Sequence, residues 1–190
     1  MLKVRIIPTL LWKQFGLVKG VAFDSWRRVG PVLPAVKVYN QREVDELILV
    51  DIIAHRSIDD LDFESIDEFS QDCFVPLTVG GGITRIEQVQ KLLHAGADKV
   101  CVNTAAYTTP ELLSEIAKRH GTQCVVASID VRSDGLGEGW QCYSHTVKHA
   151  GASAVAAASI FHFTEQTPAG AKAAMQAAGV SVRQNFINNV

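Results

Sequence analysis

The sequence has no C-x-x-C pair, no H-E-x-x-H motif and no long apolar run, and each absence argues against a class of function. Its four cysteines (Cys73, Cys101, Cys124, Cys142) stand singly, without the C-x-x-C spacing of zinc or redox sites. Three lie in or beside apolar runs, where reduced core thiols are found. Among the six histidines (His55, His94, His120, His145, His149, His162) only His145 and His149 stand at H-x-x-x-H spacing, and with no H-E-x-x-H motif neither a metal nor another cofactor is expected. No Ser-His-Asp or Cys-His nucleophile pattern is present. A formal net charge of −2 gives no reason to expect nucleic acid or an anionic membrane as partner. The apolar start, Met1 to Leu11, is interrupted by Trp12 and Lys13. It is too short to span a bilayer and lacks the features of a signal peptide. A cytoplasmic location is expected.

What is present is a globular chain. It has 190 residues, 47% of them hydrophobic, enough for one domain (1–190) with a substantial core. Short apolar, β-branched runs suited to strands buried on both faces occur at Val4–Leu11, Leu47–Ile53, Pro76–Val79, Lys99–Val102, Cys124–Ile129 and Ala154–Ala158. Helical patterns alternate with them. Thr84 and Glu87 form a capping-box pattern ahead of Ile86, Val89, Leu92 and Leu93. Thr109 and Pro110 read as N-cap and first helical residue, with Gly121 as terminator. Thr167, Pro168 and Gly179 repeat that punctuation. Strand–helix alternation predicts an α/β fold with a parallel sheet.

An internal echo sharpens this. Ala95-Gly96-Ala97-x-x-Val100-x-x-Asn103-Thr104 aligns with Ala150-Gly151-Ala152-x-x-Val155-x-x-Ala158-Ser159, and both lead to a Thr-Pro helix start. Such a repeat suggests a (β/α)8 TIM-type barrel built from two similar halves, each ending in a phosphate-gripping strand tip. The copies are offset by only 55 positions, room for roughly two strand–helix steps where four are needed, and a full barrel has about 250 residues. An incomplete barrel of about six strand units is therefore predicted: a first half over 1–121 and a shortened second half over 122–190. The discontinuity is placed near 144–148, after a hairpin-like stretch at Ser133–Tyr143. The unpaired sheet edges left by the missing strands are expected to promote self-association.

Nine segments in order resemble the cyclase subunit family of imidazole glycerol phosphate synthase in histidine biosynthesis. They are Arg5-Ile6-Ile7-Pro8, Leu17-Val18-Lys19-Gly20, Asp45-Glu46-Leu47, Leu49-Val50-Asp51-Ile52, Thr78-Val79-Gly80-Gly81-Gly82-Ile83, Gly96-Ala97-Asp98-Lys99-Val100, Asn103-Thr104-Ala105-Ala106, Ser128-Ile129-Asp130 and Ala157 to Phe163. Thr9-Leu10-Leu11, Asn40 to Leu49 and Ala150 to Pro168 are more similar still to a branch of that family found among surface-polysaccharide genes. The resemblance implies a lyase- or synthase-type subunit using ammonia from a glutaminase-type amidotransferase partner. Its substrate would be a phosphorylated small molecule, in histidine synthesis or in converting an acetamido sugar to an acetamidino sugar.

Each candidate residue has a plain reading beside the functional one. Gly80-Gly81-Gly82 ends a strand before a helix, where glycines let backbone N–H groups approach a phosphate; a tight turn would use the same residues. Asn103 and Thr104 at the next strand tip favour phosphate, and Ala158 and Ser159 form the second candidate grip. Asp130 ends a strand at the catalytic end of the fold. The resemblance makes it one of an aspartate pair in acid–base chemistry, and the plain alternative is a loop cap. The other aspartate of the pair belongs where Leu11 stands, and leucine transfers no proton. Lys19, on the long loop Trp12–Gly30, resembles the family's loop lysine that closes over substrate, and Asp51 would orient substrate or support Lys19. Arg5, Glu46 and Lys99 open strands at the opposite end, where a structural ion ring is the usual reading. The resemblance makes them an ammonia gate, with Asp98 facing the glutaminase. The competing readings are a catalytically inactive scaffold that binds phosphate or docks a glutaminase, and the sister sugar-phosphate isomerase, which also needs an aspartate at Leu11.

Overall fold

The computed structural model of the chain describes residues 5–14, 16–21, 24–54, 61–129, 131–133, 140–142, 154–157, 173 and 176–177. The elements run β1 (Arg5–Lys13), β2 (Gly16–Val21), β3 (Asp24–Gly30), α1 (Val32–Gln41), β4 (Leu47–Asp51), α2 (Phe63–Gln71), β5 (Leu77–Gly80), α3 (Ile86–His94), β6 (Lys99–Val102), α4 (Thr104–Thr108) and α5 (Glu111–His120). A 3-10 turn at Thr122–Cys124 leads to β7 (Val125–Ala127), β8 (Val131–Ser133), β9 (Trp140–Cys142) and β10 (Ala154–Ala157).

Six strands form the parallel sheet: β10 pairs β1, and β4, β5, β6 and β7 follow β1 in order. They coincide with the six apolar runs of the sequence. The last of them, β10, lies against residues 5–8 of the first, which is how a (β/α) barrel returns on itself. The path stays open among the described residues, because β7 pairs only β6 and β10 pairs only β1. This is a TIM-type α/β sheet, and it is incomplete.

Strand alternation divides the sheet into two faces. Ile6, Leu10, Trp12, Leu47, Leu49, Leu77, Val79, Val100 and Val102 belong to the main apolar cluster with Val36 and Tyr39 of α1, Ile66 and Phe69 of α2, Val89 and Leu92 of α3, and Leu112 and Ile116 of α5. That is the sheet-to-helix core; Leu10, Leu47, Val89, Leu92, Val100 and Ile116 are fully enclosed. The intervening residues make the lumen face. Its upper row is Leu11, Val50, Gly80, Cys101 and Val126, consecutive partners across five strands.

Two aspartates fix how neighbouring strands start. Asp45 donates its N–H to the Ile6 carbonyl (3.3 Å) and its carboxylate accepts from the Ile6 N–H (2.9 Å). Asp98 does the same with Leu77, at 2.8 Å in both directions. The reciprocal bonds pin register at the point where a one-residue slip would exchange lumen and core faces.

Four expectations need correction. The segment Trp12–Gly30 is not a loop: β2 and β3 form an antiparallel ribbon joined to the end of β1 through Trp12–Leu17 and Lys13–Gly16. Alternation such as Val18, Lys19 and Trp26, Arg27 suits a ribbon with one covered face. The cap of α3 is not the Thr84/Glu87 box, because the carboxamide of Gln88 accepts from the Thr84 N–H (2.9 Å) and the Arg85 N–H (3.1 Å). Gln88 is buried and Glu87 exposed, so the residue turned toward the orphan N–H groups is the one that caps. Helix α5 begins at Glu111, with Pro110 at its N-cap, and the short helix α4 precedes it; Gly121 ends it with φ +96°, a conformation open to glycine. The hairpin begins two residues earlier than expected, with Val131 opposite Cys142. The helix signals at Thr167, Pro168 and Gly179 lie outside the described residues.

Candidate functional site

The carboxyl ends of the parallel strands carry the described mouth residues Asp51, Gly81, Gly82, Asn103 and Thr104. At the end of β5, Gly80 packs so closely on β6 that a Cβ there would lie 2.8 Å from the Cys101 Cβ. Gly81 has φ +109° and a Cβ there would meet the Asp51 carbonyl oxygen at 2.0 Å. Gly82 has φ +63°. The turn therefore requires glycine at Gly80 and Gly81 for contact with both neighbouring strands, and a left-handed residue at Gly82. It leaves Gly81 and Gly82 half-buried, ahead of α3. Beside it, half-buried Asn103 precedes α4 and exposed Thr104 begins it. The backbone continues across the mouth, with the Ser128 N–H donating to the Val102 carbonyl at 2.8 Å.

Leu11 is half-buried in the upper lumen row with Val50, Gly80, Cys101 and Val126. None of these five is a proton-transfer group at neutral pH except the thiol of Cys101, which is buried. Asp51 sits in register with Trp12, in the row facing the helices. Its carboxylate accepts from the N–H groups of Ile53 (2.9 Å) and Ala54 (3.2 Å), capping the turn after β4. It also borders a hollow with Trp12, Val32, Asp62 and Phe69; Trp12 and Phe69 meet edge to face at 5.5 Å between ring centres. Lys19, half-buried on β2, stands opposite Arg27 of β3. Asp130, Ala158 and Ser159 lie outside the described residues.

At the other end of the strands, the side chains of Arg5, Glu46 and Lys99 converge. Glu46, whose side chain is only 5% exposed, accepts from the Arg5 guanidinium on one oxygen and from the Lys99 ammonium at 2.5 Å on the other. Asp98 is exposed at this end, with its carboxylate engaged by the Leu77 N–H. Two thiols adjoin it: Cys124 donates to the Asp98 carbonyl (3.3 Å) and Cys73 to the Val75 carbonyl (3.3 Å). Burial, and next to it the Asp98 charge, pushes the Cys124 thiol up; burial does the same for Cys73, partly offset by its hydrogen bond to Val75. Both are poor nucleophiles near neutral pH.

Sequence reasoning missed the paired use of Asp45 and Asp98. The signal was there, since Asp45-Glu46-Leu47 and Asp98-Lys99-Val100 share an aspartate, a lumen-facing charge and an aliphatic strand start. It also missed Asn40, which bridges α1 to the loop before β5 through the Asp72 carbonyl (2.6 Å) and the Phe74 N–H (3.2 Å). No helix among the described residues is long and apolar enough to cross a membrane.

A parallel sheet with alternating helices, a glycine turn at one strand tip and an ion cluster at the strand starts define a protein of the (β/α)8 class. The chain belongs to the histidine biosynthesis protein family, which it matches over residues 5–168. It is 46% identical over 135 residues to a Campylobacter jejuni protein provisionally named imidazole glycerol phosphate synthase subunit hisF2, a match covering 71% of this chain and 54% of that one. It is 43% identical over 145 residues to the imidazole glycerol phosphate synthase subunit HisF of Gluconacetobacter diazotrophicus, covering 76% and 56% of the two chains. A provisionally named subunit hisF3 of Vibrio vulnificus is 38% identical over 144 residues, covering 76% and 55%. The chain thus spans about half the length of the curated relatives it matches.

Proposed function

We propose that this chain is a cyclase-type subunit that holds a phosphorylated small molecule at the Gly81–Gly82 turn and receives ammonia from a docked glutaminase-type amidotransferase. Its reaction is not imidazole ring closure. The observation that carries this is the lumen row of Leu11, Val50, Gly80, Cys101 and Val126: it holds no carboxylate, and Leu11 stands where the resemblance puts the second aspartate, so a two-aspartate acid–base mechanism lacks one partner. Asp130 is the acid–base group, Lys19 on the ribbon closes over the substrate, Asp51 shapes the turn beside Gly81, and Asn103, Thr104, Ala158 and Ser159 complete the phosphate contacts. A single carboxylate suits amidine formation: ammonia adds to the acetamido carbon, and the carboxylate carries protons from the added nitrogen to the carbonyl oxygen, which leaves as water. The acetamido-to-acetamidino conversion of a surface sugar is therefore the preferred reaction, in the cytoplasm. Glu46, salt-bridged on both sides, closes the ammonia entry at the strand starts, and Asp98 faces the amidotransferase. The same apolar row favours a second reading, an inactive scaffold that binds phosphate and docks the glutaminase.

The test has two parts. Titration calorimetry with inorganic phosphate detects binding by the parent and by Gly82→Asn, which accepts a left-handed φ, but not by Gly82→Asp, which adds a negative charge at the same backbone strain. Ammonia-dependent imidazole glycerol phosphate formation falls roughly 10²–10⁴-fold below that of an intact relative, the usual cost of losing one acid–base partner. Turnover equal to that of an intact relative, or equal phosphate binding by all three proteins, overturns the proposal.

A further inference from the structure

The described surface exposes three large apolar side chains, and one stands apart: Val29 is 37% exposed, Val38 42% and Phe74 82%. Phe74 lies in the loop entering β5, at the strand-start end that holds Arg5, Glu46, Asp98 and Lys99. That loop is tied down on every side except the ring. The Phe74 N–H donates to the Asn40 carboxamide (3.2 Å), whose NH2 donates to the Asp72 carbonyl (2.6 Å). Lys37 pairs with the Asp72 carboxylate at 3.2 Å. The Cys73 N–H donates to the Ser70 carbonyl (3.0 Å), and its thiol to the Val75 carbonyl (3.3 Å). Two residues on, the Pro76 carbonyl accepts from Leu47 (2.9 Å).

An aromatic ring held out in water on an immobilised backbone is the arrangement of an interface anchor. Its area is available for burial and little ordering entropy is left to lose. At the same end of the strands Arg5 is a third exposed and Asp98 exposed, polar groups of the kind that rim an interface. The relatives are named as subunits of a synthase, and a partner at the strand-start end leaves the substrate mouth open. We infer that Phe74 is the anchor through which this chain holds its amidotransferase subunit, inserting into an apolar pocket of that partner. The inference rests on the docking reading given above.

Titration calorimetry of the full chain against the glutaminase-type amidotransferase subunit of the same organism tests it. Phe74→Ser weakens binding roughly 30-fold or more, as loss of an anchor does, and leaves the melting temperature unchanged, because the ring is exposed. Phe74→Leu recovers part of the affinity. Asn40→Ala, which frees the loop while keeping the ring, weakens binding roughly threefold to tenfold. Equal affinity of parent and Phe74→Ser overturns the anchor and leaves the docking reading standing. No binding by the parent at 100-fold the concentration typical of such pairs overturns the docking reading itself, and the anchor with it. If Phe74→Ser instead dissolves a homodimer seen by sedimentation, the ring serves a second copy of this chain and the inference is wrong.

Discussion

Replacing Glu46 by Gln is the sharpest test of the ion cluster at the strand starts. The substitution keeps the shape and one acceptor but removes the charge that faces both Arg5 and Lys99. Glu46 is 5% exposed in its side chain, Lys99 19% and Arg5 34%, so the cluster is screened from water on the glutamate side and open on the arginine side. At an effective dielectric of about 20, each contact pair attracts by about 4 kcal/mol, and desolvation of the ions offsets much of that. Breaking a buried pair by removing one partner costs about 3–5 kcal/mol, because cations are left without their anion. The exposure of Arg5 argues for the lower end, about 3 kcal/mol, or a melting temperature lower by roughly 6–12 °C for a chain of this size. Urea denaturation measures it directly. Arg5→Gln in the Glu46→Gln background should return part of the loss, since one stranded cation is then gone. Raising NaCl to 1 M should change the parent's stability little, because counter-ions do not reach Glu46. A loss below about 0.5 kcal/mol, or strong salt sensitivity in the parent, would mean that the cluster behaves as an ordinary surface pair, and the reasoning fails.

Two further outcomes follow from the helices. Gln88→Ala should destabilise the fold by about 1 kcal/mol, because the N–H groups of Thr84 and Arg85 lose their acceptor, while Glu87→Ala should cost less than about 0.5 kcal/mol; the reverse order in urea melts would restore the Thr84/Glu87 box. Burial pushes the Tyr39 phenol from 10.0 up to about 12, against the pull of Arg42. The unfolded chain therefore releases this proton first, so the stability tied to Tyr39 is complete below pH 10 and is lost as pH rises toward 12, by about 2–3 kcal/mol in all. Tyr39→Phe should flatten that part of the stability-against-pH curve, and an unchanged slope would refute the assignment.

How much of this was legible beforehand can be judged element by element. All six parallel strands were marked by short β-branched runs, because a strand covered on both faces needs apolar residues at nearly every position. Lys99–Val102 matches to the residue. The ribbon Gly16–Gly30 was not legible: its residues are mixed in polarity, and it becomes a strand pair only because the end of β1 offers Trp12 and Lys13 as a template. The α3 cap was misread by one position, since Glu87 and Gln88 are both good acceptors in sequence. Only the packing that buries Gln88 decides which of them meets the free N–H groups. Among the candidate residues, the glycine turn was recognisable as glycine; its contacts with the Asp51 carbonyl and the Cys101 Cβ were not.

By itself, then, the sequence determined the six parallel strands, the α/β alternation and the family, because these depend on local hydrophobic period and on residues in fixed order. Tertiary structure decided what those residues face. It placed Leu11 in an apolar row five strands wide, turned the Asp51 carboxylate onto its own loop, gathered Arg5 and Lys99 on Glu46 across 41 and 53 residues of chain, and left Phe74 in water on a backbone fixed by Asn40. Side-chain direction and long-range pairing depend on strand register and helix packing, which a one-residue slip inverts. No local pattern carries that information.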